Sequence, residues 1–302
     1  MKPPISIVIP TYRRERVLLD TIGYLLAMEP HPSEILVVDQ TERHEPATTQ
    51  TLHAWNEDGK IRWLRQPKPS ITRAMNTGLE QSRSEVVLFL DDDIVPEQRL
   101  LAAHLEAQAT GDCNIVAGQV LQPGEDPVRT LPGAEFRFCS SERGWINEVM
   151  GGNFSVKRAR ALELGGFDEN FVHVAYRFEA EFCDRAGAAG ERILFEPDAS
   201  IRHLKARDGG TRAYGNHLTT AAPSHSVGAY YYLLRAQGDR HRLGKIFGRL
   251  IRSVRTRHHL SHPWWIPGTL FAEFLGLLWA LQLFSRGPKL IAEHGLPRET
   301  ND

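Results

Sequence analysis

Cysteine is scarce in this chain. Its 302 residues include three, Cys113, Cys139 and Cys183, odd in number and far apart. That excludes a disulfide framework and a Cys-x-x-Cys metal knot, and it favours a reducing compartment. A long apolar run at the N-terminus is also missing. The run from Ile5 to Ile9 is short, and Arg13 and Arg14 follow it. It is too short for a signal-peptide core, so a cytoplasmic location is expected. Nor is there an excess of one charge. Lys and Arg total 36 against 37 for Asp and Glu, a formal net charge of −1, which argues against a nucleic-acid partner. Internal repeats and low-complexity tracts are absent. A content of 41% hydrophobic and 24% charged residues is ordinary for a globular protein. The length allows one large domain or two small ones.

What is present alternates. The run Ile5-Ser-Ile-Val-Ile9, closed by Pro10, predicts a buried strand. Val17, Leu18, Ile22, Leu25 and Leu26 have helical spacing. Residues 35–38 predict a second strand, ending at Asp39, and residues 61–64 a short third. A helix is expected over 74–82, and the strand 86–90 runs straight into Asp91, Asp92 and Asp93. Helices are expected over 97–109, 157–164 and 176–188, with strands at 115–118 and 193–195 and a loop over 122–147. Such alternation predicts an α/β fold with a mostly parallel sheet and helices on both faces. Ligands then bind beyond the carboxyl ends of the strands, where Pro10, Thr11, Tyr12, Asp39 and the Asp triplet lie.

Three adjacent carboxylates repel one another and favour a bound cation. Hard oxygen donors suit Mg2+ or Mn2+, which share their shell with substrate phosphates. The plain alternative is a solvated acidic turn.

The residues around the triplet widen the argument. The run from Ile5 through Pro10-Thr-Tyr-Arg-Arg14, then Ile35-Leu-Val-Val-Asp39, then Phe89-Leu-Asp-Asp-Asp93 resembles the family 2 glycosyltransferases. Thr72-Arg-Ala-Met-Asn-Thr-Gly78, Gly151-Gly-Asn-Phe-Ser155, Gly165-Gly-Phe-Asp-Glu169, the acidic stretch 179–190 and the stretch 197–203 follow in the family's order. The resemblance covers roughly residues 4–212 and implies a GT-A fold and inverting transfer from a nucleotide-diphosphate sugar. It implies a domain over 1–215, with a nucleotide half at about 1–115 and an acceptor half at about 116–215.

The roles the resemblance implies are specific. Donor contacts fall on Pro10, Thr11, Tyr12, Arg14, Asp39, Arg73, Asp91, Asp92, Gly152, Asn153 and Arg212. Tyr12 offers the base a stacking face, and Gln40 stands where the family often has an acid or Asn. Asp91 and Asp93 match the DxD acids that hold Mn2+ or Mg2+, with His203 as a third ligand. The loop Asp208-Gly-Gly-Thr-Arg212 suits closure over phosphate. Packing roles remain open for Tyr12, Arg73 and His203. Glu179 and Glu181 are the candidate catalytic acids. Two residues apart on a helix, they point about 200° apart. Glu181 has Arg185 four residues on, so a structural ion pair is available to it. Glu179 aligns with the Asp of the family's Glu-Asp pair and is expected to be the general base, with Glu181 in support; Phe178 stands in the Glu place.

Residues 216–302 are expected to form a helical extension. Arg240, Arg242, Lys245, Arg249, Arg252, Arg255 and Arg257 come without an acid among them. An apolar stretch over 263–284 follows, whose one charge is Glu273. This pairing suits docking on an anionic membrane surface, the inner face of the cell membrane; a helix packed on the domain is the alternative. His258, His259 and His262 read as surface residues. The acceptor is a glycan, a lipid-linked species or a small molecule. Two rival functions stand beside the transferase: a non-catalytic nucleotide-sugar-binding subunit, and another metal-dependent phosphate enzyme such as a nucleotidyltransferase or a phosphatase.

Overall fold

The β-branched run at the start of the chain becomes β1 (Ile5–Thr11), with helix α1 (Arg16–Leu26) after it. A computed structural model describes residues 5–130, 135–236 and 241–291, with the side chain of Arg242 left out. Next come β2 (Glu34–Asp39), α2 (Pro46–Glu57), β3 (Arg62–Arg65), α3 (Ile71–Gln81), β4 (Val86–Leu90) and β5 (Ile94–Pro96). Then follow α4 (Leu100–Ala109), β6 (Ile115–Leu121), β7 (Gly144–Ile146), β8 (Asn153–Lys157), α5 (Arg158–Glu163), α6 (Phe178–Ala188) and β9 (Ile193–His203). The helices α7 (Val227–Arg235), α8 (Arg242–Val254), α9 (Arg257–Ser261) and α10 (Ile266–Ser285) complete the described chain.

One sheet runs in the order β3-β2-β1-β4-β8-β6-β9-β5, with β7 beside β9. The β3-β2-β1-β4 half is parallel throughout, and β8 joins it antiparallel to β4. Side chains alternate across the strands. Val8, Leu36, Val38 and Phe89 feed one core, and Ile7, Ile9, Ile35, Val37 and Leu88 the other. Burial on both faces explains the unbroken apolar runs.

The sequence-based reading misses α2, whose buried stripe is only Thr48 and Leu52. The strand expected at 193–195 runs on through the stretch 197–203 as a single strand, β9. The C-terminal helices share the main core, since Tyr230, Tyr231, Ala280, Leu283 and Ile291 lie in one apolar cluster with Phe154 and Phe167. After α10 the chain returns to the Gly165-Gly166 turn, where Ile291 N–H donates to the Gly165 carbonyl at 2.8 Å. Asp168 anchors this return, accepting from Lys289 N–H at 2.9 Å and from Tyr231 Oη at 2.7 Å. His259 corrects an expectation: it is buried, between Thr256 Oγ1 at 2.8 Å and Thr269 Oγ1 at 2.9 Å. Arg240 lies outside the described residues.

Candidate active site

Three strand ends converge. The end of β1 brings Pro10, Thr11 and Tyr12, the end of β4 brings the Asp triplet, and the end of β9 brings His203. They open on a cavity of about 560 Å³, which Arg14, Gly152, Glu179 and Arg212 also line.

One donor atom each from Asp91, Asp93 and His203 lies within 4.8 Å of the others. His203 Nε2 is 3.1 Å from Asp93 Oδ1 and 3.8 Å from Asp91 Oδ2. Burial pulls the His203 pKa down, but the bond to Asp93 and the two carboxylate charges outweigh it and raise it. Two carboxylates and an imidazole facing one point are a fitting donor set for Mn2+, and the carboxylates alone suit Mg2+. Gly152 leaves room for this arrangement: a Cβ there would sit 2.1 Å from Asp91 Oδ2.

Asp92 turns the other way. It accepts from Thr11 Oγ1 at 2.7 Å and from Arg14 Nε at 3.1 Å. The Arg14 guanidinium reaches Asp93 Oδ2 at 3.4 Å and donates to the carbonyls of Ala206 and Asp208. Asp93 Oδ2 also accepts from Ala206 N–H at 2.7 Å, and Gly210 N–H donates to the Tyr12 carbonyl at 2.7 Å. The loop over 205–212 is thereby pinned to the end of β1, with exposed Arg212 at the cavity.

Glu179 occupies the first turn of α6 and lines the cavity. Burial raises its pKa to about 7, the Asp91 charge adds to the shift, and its own N–H and that of Gly151 offset part of it. A Cβ on Gly151 would meet Glu179 Oε1 at 2.8 Å. Asp91 and Glu179 therefore rest on consecutive glycines, whose Cα atoms are about 3.8 Å apart. Glu181 faces elsewhere. It is buried and makes a two-pronged pair with Arg185, at 2.9 Å for both contacts. Arg185 in turn donates to the carbonyls of Leu164 and Gly166.

Four expected site residues are not on the cavity wall: Asp39, Arg73, Asn153 and Glu181. Asp39 is fully buried, with Thr41 N–H on Oδ1 at 2.8 Å and His44, Trp63 and Arg65 each 2.9 Å from Oδ2. Burial raises its pKa, but the His44 bond and the other donors win and lower it. Gln40, the next residue, lines the cavity in its place. Asn153 is also fully buried. It donates to the Gln119 and Ala199 carbonyls and faces His104 Nε2 at 2.9 Å. Burial holds that histidine near pKa 4, hence neutral. Arg73 is exposed on α3.

The structure adds wall residues that motif reading did not find. His173 stacks on Tyr214 with ring centroids 5.0 Å apart, and Tyr214 lies 6.4 Å from Tyr12. His173, Ala175 and Arg177 have positive φ of 58°, 52° and 76°. Strained non-glycine backbone of this kind gathers at functional sites. Its only sequence signal is its place, directly before the acidic helix.

The glycosyl transferase family 2 profile matches residues 6–180, more than half of the chain, and the chain belongs to that family. The glucosyl-dolichyl phosphate glucuronosyltransferase of Haloferax volcanii is 24% identical over 216 residues, 66% of this chain and 68% of that one. The pre-mycofactocin glycosyltransferase of Mycobacterium tuberculosis is 27% identical over 139 residues, 43% of this chain and 29% of that one. Among solved structures, the mannosyltransferase PcManGT of Pyrobaculum calidifontis, in complex with GDP-Man and Mn2+, has a TM-score of 0.54 at 16% identity and is covered over 80% of its chain by 95% of this one. GalNAc-T7 with UDP, GalNAc and Mn2+ has a TM-score of 0.59 at 14% identity, over 80% of this chain and 53% of that one. The chain thus spans about two thirds of the first relative, under a third of the second and about half of GalNAc-T7. These likenesses show the GT-A arrangement. The protein is a family 2 glycosyltransferase, and neither the nucleotidyltransferase nor the non-catalytic subunit gains support.

Proposed function

We propose that the protein transfers a hexosyl or related group from a nucleotide-diphosphate sugar to an acceptor hydroxyl, with inversion at the anomeric carbon. The observation that carries this reading is the placing of Glu179, with its raised pKa, on the glycine next to the one that seats Asp91. The acceptor oxygen forms the new bond to the anomeric carbon from one side. Its proton passes to a Glu179 carboxylate oxygen. On the other side the bond to the diphosphate oxygen breaks, and that oxygen keeps the electron pair. A divalent cation held by Asp91, Asp93 and His203 would offset the charge of the departing diphosphate. The relatives solved with Mn2+ support that role. Tyr12 and Gln40 face the nucleotide. Arg14 fixes the triplet and the loop over 205–212, and Arg212 reaches the phosphates from that loop. In this reading residues 1–115 bind donor and 116–215 receive acceptor.

The extension over 216–302 belongs, in the same proposal, on an anionic membrane surface at the cytoplasmic face. α10 buries Thr269, Ala272, Glu273, Gly276, Ala280 and Leu283, while Phe271, Phe274, Leu278 and Leu281 stay exposed. α8 exposes Leu243, Phe247 and Ile251 among basic residues. The stretch Pro263–Ser285 is long and apolar enough to cross a membrane. Its one acid faces inward, however, where Glu273 accepts from Tyr230 Oη at 2.6 Å and pairs with Arg249 at 3.0 Å. One packed face and one apolar face suit docking.

A thermal-shift panel of nucleotide sugars with and without Mn2+ tests the transferase reading. Ligand at 100 times its Kd adds about 2.7 kcal/mol. A donor found this way must then be consumed with release of nucleoside diphosphate; a panel that produces no Mn2+-dependent shift sinks the reading.

A further inference from the structure

Beside the active cavity lies a second, of about 590 Å³, between α7, α8, α10 and the segment over 217–226. The two share Val174, Tyr176 and Arg177, so the strained stretch before α6 is their common wall. Gly228 of α7 lets this wall approach: a Cβ there would lie 2.7 Å from the Tyr176 carbonyl oxygen.

The second cavity is basic. Arg177, Arg249 and Arg252 line it, and Glu273 is its one acid. That acid is already committed to Arg249 and Tyr230. Arg177 pairs with Glu148 at 3.2 Å at the exposed rim. Among the described residues no carboxylate pairs with Arg252. His217 and His225 add two imidazoles. Burial lowers the His217 pKa, and the neighbouring His225 and Arg249 lower it further. The same helices carry the exposed apolar faces: Phe247 of α8 is 65% exposed and Phe271 of α10 is 55% exposed.

We propose that this second cavity seats the phosphate of an amphiphilic acceptor, a sugar joined to a lipid through a phosphate or diphosphate. Its chain lies along the apolar faces of α8 and α10, and its reacting hydroxyl passes over the wall at 174–177 to Glu179. The inference rests on the glycosyl-transfer reading and names its acceptor class. Charge selects the phosphate: guanidinium groups bind phosphate oxygens through paired N–H donors. The phosphate itself does not react. The acceptor hydroxyl forms the new carbon–oxygen bond and gives its proton to Glu179, and the donor diphosphate leaves with the electron pair of the bond it loses.

The full chain in neutral detergent micelles is titrated with farnesyl phosphate, farnesol and inorganic phosphate. Arg252→Glu is the test variant. Arg83→Glu, exposed at the opposite end of the sheet, carries the same change of net charge. Farnesyl phosphate is expected to bind at least tenfold more tightly than either other probe, and to weaken at least tenfold in Arg252→Glu but not in Arg83→Glu. Equal binding of farnesol removes the phosphate from the proposal. Equal binding of inorganic phosphate makes the cavity a free-anion site and removes the lipid. Equal weakening in both variants, or in neither, also overturns it. Thermal shift with UDP and GDP plus Mn2+ is read in parallel. Loss of that shift in the wild-type protein counts against glycosyl transfer, while the farnesyl phosphate result separately decides what the cavity holds.

Discussion

Replacing Glu179 by Gln separates chemistry from stability. The amide has the shape of the carboxylate and keeps an oxygen for the N–H groups of Gly151 and residue 179, but it takes up no proton. Loss of a general base costs roughly 100- to 10,000-fold, or about 3–5 kcal/mol of barrier. Stability should move the other way. Burial raises the Glu179 pKa from 4.5 to about 7, so the fold binds this proton more tightly than the unfolded chain does. The wild-type protein therefore loses stability as pH rises through that window. The ionised group costs on the order of 1–3 kcal/mol above it, after discounting for its partial exposure. Gln carries no such cost. At pH 8 the variant should melt a few degrees higher than wild type, at about 2–4 °C per kcal/mol, and the gain should vanish below pH 4.5. Glu181→Gln should show the reverse pattern, losing one prong of a buried pair with Arg185 and melting lower while turnover at low temperature survives. Nucleoside-diphosphate release and thermal melting, read on both variants at pH 5 and pH 8, give the answer. If Glu179→Gln keeps turnover within tenfold of wild type, or Glu181→Gln loses turnover without losing stability, the assignment of the base is wrong.

The wild-type pH profile should show an acid limb, since only the ionised Glu179 accepts a proton. With Mn2+ bound its midpoint should lie between 4.5 and about 7, because a cation at Asp91 cancels the charge that helps raise it; a midpoint above 7 contradicts the pairing. Asp93→Asn, or chelation of the wild-type protein, should abolish turnover while the protein stays folded, and full activity in the presence of a chelator rejects the metal role. Gly152→Ala must push Asp91 aside, given the 2.1 Å approach, so Mn2+-dependent nucleotide binding should fall at least tenfold; unchanged binding by thermal shift would mean that Asp91 is not a ligand.

Much of the fold up to about residue 115 was legible in the sequence because its signals are local. A strand buried on both faces must be a continuous apolar run, and such a run ending in acids marks both the strand and the site. Asp91, Asp93 and His203 come together because β4 and β9 run in the same direction and end on the same side of the sheet. Asp39 was legible as a strand end but not as a saturated carboxylate. Its donors His44, Trp63 and Arg65 lie at other places in the chain, and no spacing rule joins them. The split of Glu179 and Glu181 followed from helix geometry, and Arg185 does take Glu181. The stack of His173 on Tyr214 left no trace, since 41 residues separate the partners and only the fold brings them together. The extension reads as two alternatives in sequence because α10 satisfies both, with a buried stripe toward α7 and an apolar face outward.

That double nature decides how membrane docking must be tested. Deleting residues 240–302 removes Ala280, Leu283 and Ile291 from the core that holds Tyr230 and Tyr231. It also strips Glu273 from Tyr230 Oη. A truncated chain that fails to float with liposomes would report only its own unfolding. The exposed face can be changed alone. Phe271 and Phe274 are 55% and 53% exposed, so returning each from lipid to water forfeits about 1 kcal/mol, roughly half of a full phenylalanine burial. Glutamates in their place also meet an anionic surface that favours a basic residue by about 1 kcal/mol, and two reversed charges cost a similar amount each. The sum of about 4 kcal/mol predicts a fall of at least 100-fold in partition onto phosphatidylserine vesicles for Phe271→Glu with Phe274→Glu. Melting should be unchanged, because neither ring is in the core. The apolar loss does not depend on salt, whereas the charge contribution weakens as salt rises, so the deficit should shrink but persist at high ionic strength. A double variant that floats with the vesicles as wild type does, at either salt concentration, would place this face away from the membrane.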